Sequence, residues 1–214
     1  MIRVGIAGFG KIGQLRYKYL LQHNGFEIVS ILDKNKNTRI PNTVHRSSTY
    51  AELLEQHLDA VFICAFNDVL ADYTIQAMKR GIHVFCEKPP ARNVEELEKV
   101  AEVFHDHEII LKYGFNHRYH YSISEAKKMI DEGKFGKLIT IRGIYGKAGS
   151  IDYDKNWRNY KNVSGGGILI DQGIHMLDLV RYLSKDEFSV KYALVKTLFW
   201  KIDSEDNAFV LLEG

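Results

Sequence analysis

Asp171 and His175 lie one helical turn apart and carry side chains suited to moving a proton near neutral pH. Asp178 continues the same face at i+7, and the three stand among Ile168, Leu169, Ile170, Ile174, Leu177 and Leu179, so polar groups are set into an apolar helix. His175 can take a proton from a hydroxyl while hydride leaves the same carbon, and Asp171 can orient the imidazole or bind a second hydroxyl. The other reading is a helix start where Asp171 favours the dipole and His175 is a satisfied, half-buried residue. A carboxylate and an imidazole at this spacing also suit a divalent metal, but the sequence offers no obvious third ligand, and no metal is expected.

A second chemistry opens the chain. Gly8-Phe9-Gly10-Lys11-Ile12-Gly13 follows an apolar strand and leads into a helix. Gly8 permits the tight turn, Gly10 lets the backbone approach a pyrophosphate, and Gly13 lets the helix pack on the strand. The helix start offers N–H groups to the anion. Asp33 ends the next strand about 20 residues on, where a carboxylate accepts hydrogen bonds from ribose hydroxyls and repels a 2′-phosphate. NAD is therefore expected over NADP, with Lys34 as a candidate phosphate partner. Lys88, in Glu87-Lys88-Pro89-Pro90, follows a later strand and should project toward the nicotinamide end, where an ammonium can stabilise charge on a substrate oxygen. The alternative is a surface lysine at a strand end.

The elements that must position these groups alternate in the first half. Strands at 3–7, 27–32, 59–65, 82–86 and 109–113 are separated by helices at about 11–23, 50–56, 69–80 and 94–107, with a polar loop at 34–49 that has room for a short strand. The helix at 94–107 is expected to bury Val94, Leu97, Ala101 and Phe104. Such alternation indicates an α/β fold, a doubly wound parallel sheet. From about residue 115 the order becomes α+β: a helix at 121–132, a strand at 138–145, a polar aromatic loop, a helix at 169–183, and strands at 189–200 and 208–212. The expected division is 1–118, binding a dinucleotide, and 119–214, binding substrate, with an open sheet in the second part whose face something must cover.

Four segments in order, the Gly8/Gly10/Gly13 turn with Asp33, residues 81–89, Gly114-Phe115-Asn116-His117-Arg118, and residues 165–175, resemble the Gfo/Idh/MocA oxidoreductase family. The resemblance implies an N-terminal Rossmann domain and a C-terminal domain whose open sheet usually makes a dimer interface. It implies nicotinamide-dependent oxidation or reduction of a sugar, cyclitol or nucleotide sugar. Lys88, Asp171 and His175 match the family's residues at the reacting carbon. The positions expected at the cofactor are Gly8, Phe9, Gly10, Lys11, Ile12, Gly13, Asp33, Ala65, Phe66, Asn67, Glu87 and Lys88. Two departures stand out. Ala65-Phe66-Asn67 followed by Leu70 replaces the family's usual Thr-Pro-Asn and histidine, and against the family's usual length Gly214 is expected to fall partway through the second domain.

Substrate contacts are expected at Asn116, Arg118 and Tyr119 after the last strand, and at Trp157 and Arg158 in the polar loop, which also carries Lys147 and Tyr160. Arg118 as a structural residue is an equal alternative. His105 with His107, and His117 with His120, are expected in solvated or capping roles.

Composition bounds the rest. Across 214 residues, 29 basic and 27 acidic side chains nearly cancel, with no basic stripe, which argues against nucleic acid. No apolar run reaches the roughly 20 residues of a membrane span. Cys64 and Cys86 sit in apolar strand patterns and read as buried thiols of a reducing compartment. The chain enters a core strand at once, leaving no room for a signal segment, so the expectation is a cytoplasmic homo-oligomeric dehydrogenase. The rival is a dinucleotide-binding regulator or subunit without turnover, which the altered Ala65-Phe66-Asn67 favours and the retained Lys88, Asp171 and His175 oppose.

Overall fold

The computed structural model describes residues 1–146, 148–149 and 152–214. The chain divides into two units, Met1–Gly114 and Phe115–Gly214.

The first unit is a six-stranded parallel sheet. Its elements are β1 (Ile2–Ala7), α1 (Lys11–Leu20), β2 (Phe26–Leu32), β3 (His45–Ser47), α2 (Tyr50–Leu54), β4 (Ala60–Ile63), α3 (Asn67–Met78), β5 (His83–Cys86), α4 (Val94–His105) and β6 (Leu111–Tyr113). The strand order is β3-β2-β1-β4-β5-β6, so the winding reverses between β1 and β4. Ligands of open parallel sheets bind at such a reversal, outside the carboxyl ends of the strands. Val4, Ile6 and Ile31 pack with Phe9 and Leu20 on one face. Val61, Ile63, Val84 and Cys86 pack with Leu53, Leu70 and Met78 on the other. Both faces are covered, as continuous apolar strand runs require. Each fully buried Leu, Ile or Val among them contributes about 1.5–3 kcal/mol of transfer free energy.

Local signals set the helix ends. The Thr49 side chain accepts the Glu52 N–H at 3.1 Å to cap α2, and Asn93 accepts the Glu96 N–H at 2.9 Å to cap α4. Past α3 the chain turns at Gly81 with φ at 71°. One expected face is wrong. On α4 the buried residue is Val100, with Val103 packed against the core, whereas Val94 and Leu97 are 69% and 41% exposed and Ala101 and Phe104 are exposed too. The helix carries two apolar stripes of nearly equal period, and the one through Val100 meets the core.

The second unit holds α5 (Tyr121–Asp131), α6 (Lys161–Ser164), α7 (Ile174–Ser184), and an antiparallel hairpin of β7 (Ser189–Lys196) and β8 (Asn207–Glu213). Short 3-10 turns lie at Asn116–Tyr119, Tyr153–Lys155 and Trp157–Asn159. The strand expected at 138–145 is not formed. A strand needs a ladder partner, and β7 and β8 pair with each other, while 137–141 lines one side of a groove of about 1190 Å³ whose other walls are α7 and β8. The helix expected at 169–183 begins instead with a π-helical turn, Leu169–Gly173, before α7.

Candidate active site

In the first unit, β1 runs into Gly8, whose φ is 94°, a conformation that favours glycine. A Cβ there would sit 2.9 Å from the Ala65 nitrogen, and one on Gly13 would strike the Gly8 carbonyl. Both glycines are therefore fixed by backbone approaching backbone. Gly10 differs: a Cβ would meet nothing within 4 Å, and no side chain caps the start of α1. The turn thus leaves open space at the second glycine and amide donors at the helix start, a cradle that fits a pyrophosphate.

Asp33 stands at the mouth of this turn. It accepts the Phe9 N–H at 2.6 Å, the Asn35 N–H at 2.8 Å and the Thr38 hydroxyl at 2.9 Å. A carboxylate with two oxygens has acceptor capacity left for a ribose hydroxyl. The Phe9 ring is 3% exposed and meets Tyr17 edge-on, so only its backbone belongs to the turn, while Lys11 and Ile12 are exposed. Beyond β4, Ala65 is half-buried, Phe66 is exposed and Asn67 is buried at the first position of α3.

Glu87 leads out of β5. Arg16, on α1, donates to its Oε1 from Nε at 2.8 Å and Nη2 at 2.5 Å, and lies 4.7 Å from the Phe85 ring centroid. A Cβ on Gly114 would come within 2.6 Å of the other carboxylate oxygen. The Glu87 carboxylate is thus a strut between α1 and the end of β5. Lys88 follows, half-buried, before a cis bond to Pro89. Burial pushes the Cys64 thiol up, the Glu87 charge adds to this and Arg16 opposes it; burial likewise pushes Cys86 up to about 12. Neither thiol is a nucleophile at neutral pH.

In the second unit, Asp171 sits in the π-helical turn, a device often found at functional positions. Its Oδ1 faces Arg158 Nε at 3.3 Å and its Oδ2 accepts from Gln172 Nε2 at 2.7 Å. The Arg158 guanidinium lies 4.4 Å from the Trp157 ring. Burial pushes the nearby Tyr153 phenol up, and the Asp171 charge raises it further against the pull of Arg158. His175, 5% exposed, opens α7, and Asp178 follows at 7%. Of the polar face that the spacing marked out, His175 and Asp178 are buried and Asp171 is half-buried.

Arg118 reaches this helix. Its guanidinium takes both oxygens of Asp178 and is flanked by Tyr182 at 5.1 Å. The fork expected to hold a substrate anion is occupied by a carboxylate of the same unit, which supports the structural alternative. Asn116 and Tyr119 are exposed, and Lys147 lies outside the described residues. His120 accepts the Ile123 and Ser124 N–H groups through its carbonyl, a capping role. His117 is not solvated as expected: its ring stacks on His175 with centroids 3.9 Å apart. The Arg16–Glu87 and His117–His175 contacts escaped the sequence reading because each joins residues far apart in the chain. Among the described residues no group of three or more His, Cys, Asp or Glu side chains could hold a metal, and no helix is long and apolar enough to cross a membrane.

Comparison with known proteins gives two family matches. Residues 2–115 match the oxidoreductase family with NAD-binding Rossmann fold, and residues 123–214 match the GFO/IDH/MocA C-terminal domain. Levoglucosan dehydrogenase of Pseudarthrobacter phenanthrenivorans is 35% identical over 142 residues, 65% of this chain and 36% of the relative. Myo-inositol 2-dehydrogenase of Thermotoga maritima is 28% identical over 221 residues, 99% of this chain and 64% of the relative. A solved levoglucosan dehydrogenase in complex with NADH and levoglucosan superposes with a TM-score of 0.87 at 26% identity, covering 99% of this chain and 63% of that one. The chain thus spans less than two thirds of the length of each of these proteins.

Proposed function

Since the chain belongs to the GFO/IDH/MocA oxidoreductase family, we propose that it serves an NAD-dependent dehydrogenase acting on a hydroxyl or ketone carbon of a sugar, cyclitol or nucleotide sugar. The observation that carries this reading is the turn at 171–175, where Asp171 and a buried His175 stand in a π-to-α transition. A nicotinamide, when bound, supplies the hydride acceptor or donor. The Gly8–Gly13 turn and Asp33 bind and orient the dinucleotide. His175 takes the hydroxyl proton in the oxidative direction and returns it in the reductive one. Lys88, at the end of β5, is suited to stabilising charge that develops on a substrate oxygen. Asp171, itself held by Arg158, keeps the imidazole oriented, and Trp157 offers an aromatic face to a sugar ring. Asp33 supports NAD over NADP, because a 2′-phosphate would meet a carboxylate already accepting three hydrogen bonds.

We read the protein as cytoplasmic, which two free cysteines support. We also read it as assembling through the second unit's sheet, where Val190, Tyr192, Phe209 and Leu211 are all more than half exposed.

The test is a panel of cyclitols, hexoses and nucleotide sugars followed by NADH absorbance. Turnover that falls at least about a thousandfold in both Lys88→Ala and His175→Ala supports the assignment. Saturable NAD binding without turnover on any member would instead make the protein a dinucleotide-binding regulator.

A further inference from the structure

Between β2 and β3 the chain folds back on Asp33, and the fold-back is held at Thr38. The Thr38 N–H donates to the Asn35 carbonyl at 3.0 Å, and the Arg46 guanidinium, on β3, donates to the Thr38 carbonyl. Ile40 and Val44 pack against the cluster of Val4, Ile6 and Ile31, which ties the rest of the loop to the core. Thr38 is thereby held through both its N–H and its C=O. Its hydroxyl meets Asp33 Oδ1 at 2.9 Å, beside the Asn35 N–H at 2.8 Å, while Oδ2 takes the Phe9 N–H at 2.6 Å. Donors from the loop and from the glycine turn thus hold the two oxygens separately and set the plane of the carboxylate.

A carboxylate can receive about four hydrogen bonds, so a ribose hydroxyl does not need the place that Thr38 takes. What the Thr38 hydroxyl supplies is direction. A charge-assisted hydrogen bond is strong only over a narrow range of angles, and a carboxylate free to turn loses part of it to the cost of ordering. We propose that Thr38 makes Asp33 selective for NAD. Clasped by Arg46, it fixes the carboxylate where a ribose hydroxyl can donate to it, and where a 2′-phosphate meets a charge that does not turn aside. Thr38 is then a positioning residue, and Arg46 acts through it. The proposal rests on the reading of Asp33 as the ribose acceptor given above.

The experiment measures NAD and NADP affinities of the full chain by titration calorimetry in T38V, T38S, D33A and D33A/T38V. NAD should bind at least about fivefold more weakly to T38V, and within about twofold of the unsubstituted value to T38S, which keeps the hydroxyl. NADP, which receives no hydrogen bond from the carboxylate, should not weaken in either. In the D33A background, T38V should change NAD affinity by less than about twofold, because a residue acting through Asp33 has nothing left to hold. Equal weakening of NAD and NADP in T38V, or the same loss of NAD affinity with and without Asp33, overturns the proposal. So does NAD affinity unchanged in T38V but weakened in D33A. R46M frees the Thr38 carbonyl and leaves the hydroxyl in place, so it decides where T38V does not fold: NAD alone should weaken, and unchanged NAD affinity overturns the proposal. NAD affinity unchanged in D33A would instead remove the reading of Asp33 itself, so the two failures are distinguishable.

Discussion

The backbone N–H of Phe9 donates to Oδ2 of Asp33 at 2.6 Å, so the acid at the end of β2 holds the tip of the glycine turn. The same carboxylate is assigned to the ribose. Asp33→Ala removes both interactions, and hydrogen bonds to a charged group are worth about 1.5–3 kcal/mol each. NAD affinity, measured by fluorescence titration, should fall at least about tenfold, and the ratio of NADP to NAD affinity should rise. Unchanged NAD affinity would withdraw the assignment of Asp33.

Arg16 and Glu87 join α1 to the end of β5 through side chains 24% and 16% exposed. Arg16→Ala leaves a largely buried carboxylate without its cation and should cost about 1–3 kcal/mol in urea unfolding. Arg16→Lys keeps the charge but loses the planar fork, and should recover only part of that. A loss below about 0.5 kcal/mol in Arg16→Ala, the size of a plain surface change, would show that the strut carries no load.

Two glycines separate fold from binding. A Cβ on Gly167 would strike the Glu205 backbone, whose carbonyl also accepts the Ile168 N–H at 2.8 Å. Gly167→Ala should therefore destabilise the second unit by about 1–3 kcal/mol and speed amide exchange at Ile168. Gly10→Ala adds a methyl group to open space at φ −69°, a conformation alanine adopts freely. Its melting temperature should hold while NAD binding weakens, because the methyl group occupies the approach to the pyrophosphate. Normal NAD affinity in Gly10→Ala would argue against the cradle.

Asp206 gives an acid limit to stability. Burial pushes its carboxyl up, but the N–H groups of Trp200, Leu198 and Phe199, each at 2.8 Å, and the Asn207 side chain outweigh burial and hold it well below the usual carboxylate range. The folded state therefore binds this proton less readily than the unfolded state. Its stabilisation is complete above about pH 5 and is lost as pH falls through the ordinary carboxylate value of about 3.9 and below. Asp206→Asn should be less stable than the unsubstituted chain at pH 7, and its stability should vary less between pH 5 and pH 3. Parallel unfolding curves across that range would contradict this.

Local signals explain what the sequence revealed. Gly8, Gly13, Gly81 and Asn93 mark turns and caps with residue types that few others can replace, and the apolar runs of β1, β4 and β5 suit only a sheet covered on both faces. His175 and Asp178, with the half-buried Asp171, were legible as one polar face because their period is helical. Choices among near-equal options were not legible: which of two apolar stripes α4 buries, or whether 138–145 finds a ladder partner. Nor were contacts that require the assembled unit, such as Arg16 on Glu87 and His117 on His175, where neither residue's neighbours in the chain hint at the other.

The turn at Asn116–Tyr119 grips one helix at consecutive positions, His117 on His175 and Arg118 on Asp178, the latter pair 60 residues apart. Those two grips fix the azimuth of α7, and rolling the helix by even part of a turn would break both. A hybrid protein that exchanged nucleotide-binding halves between relatives would have to cross over before Phe115. A junction placed after Tyr119 would give α7 a foreign clasp and leave Asp178 without its matched arginine.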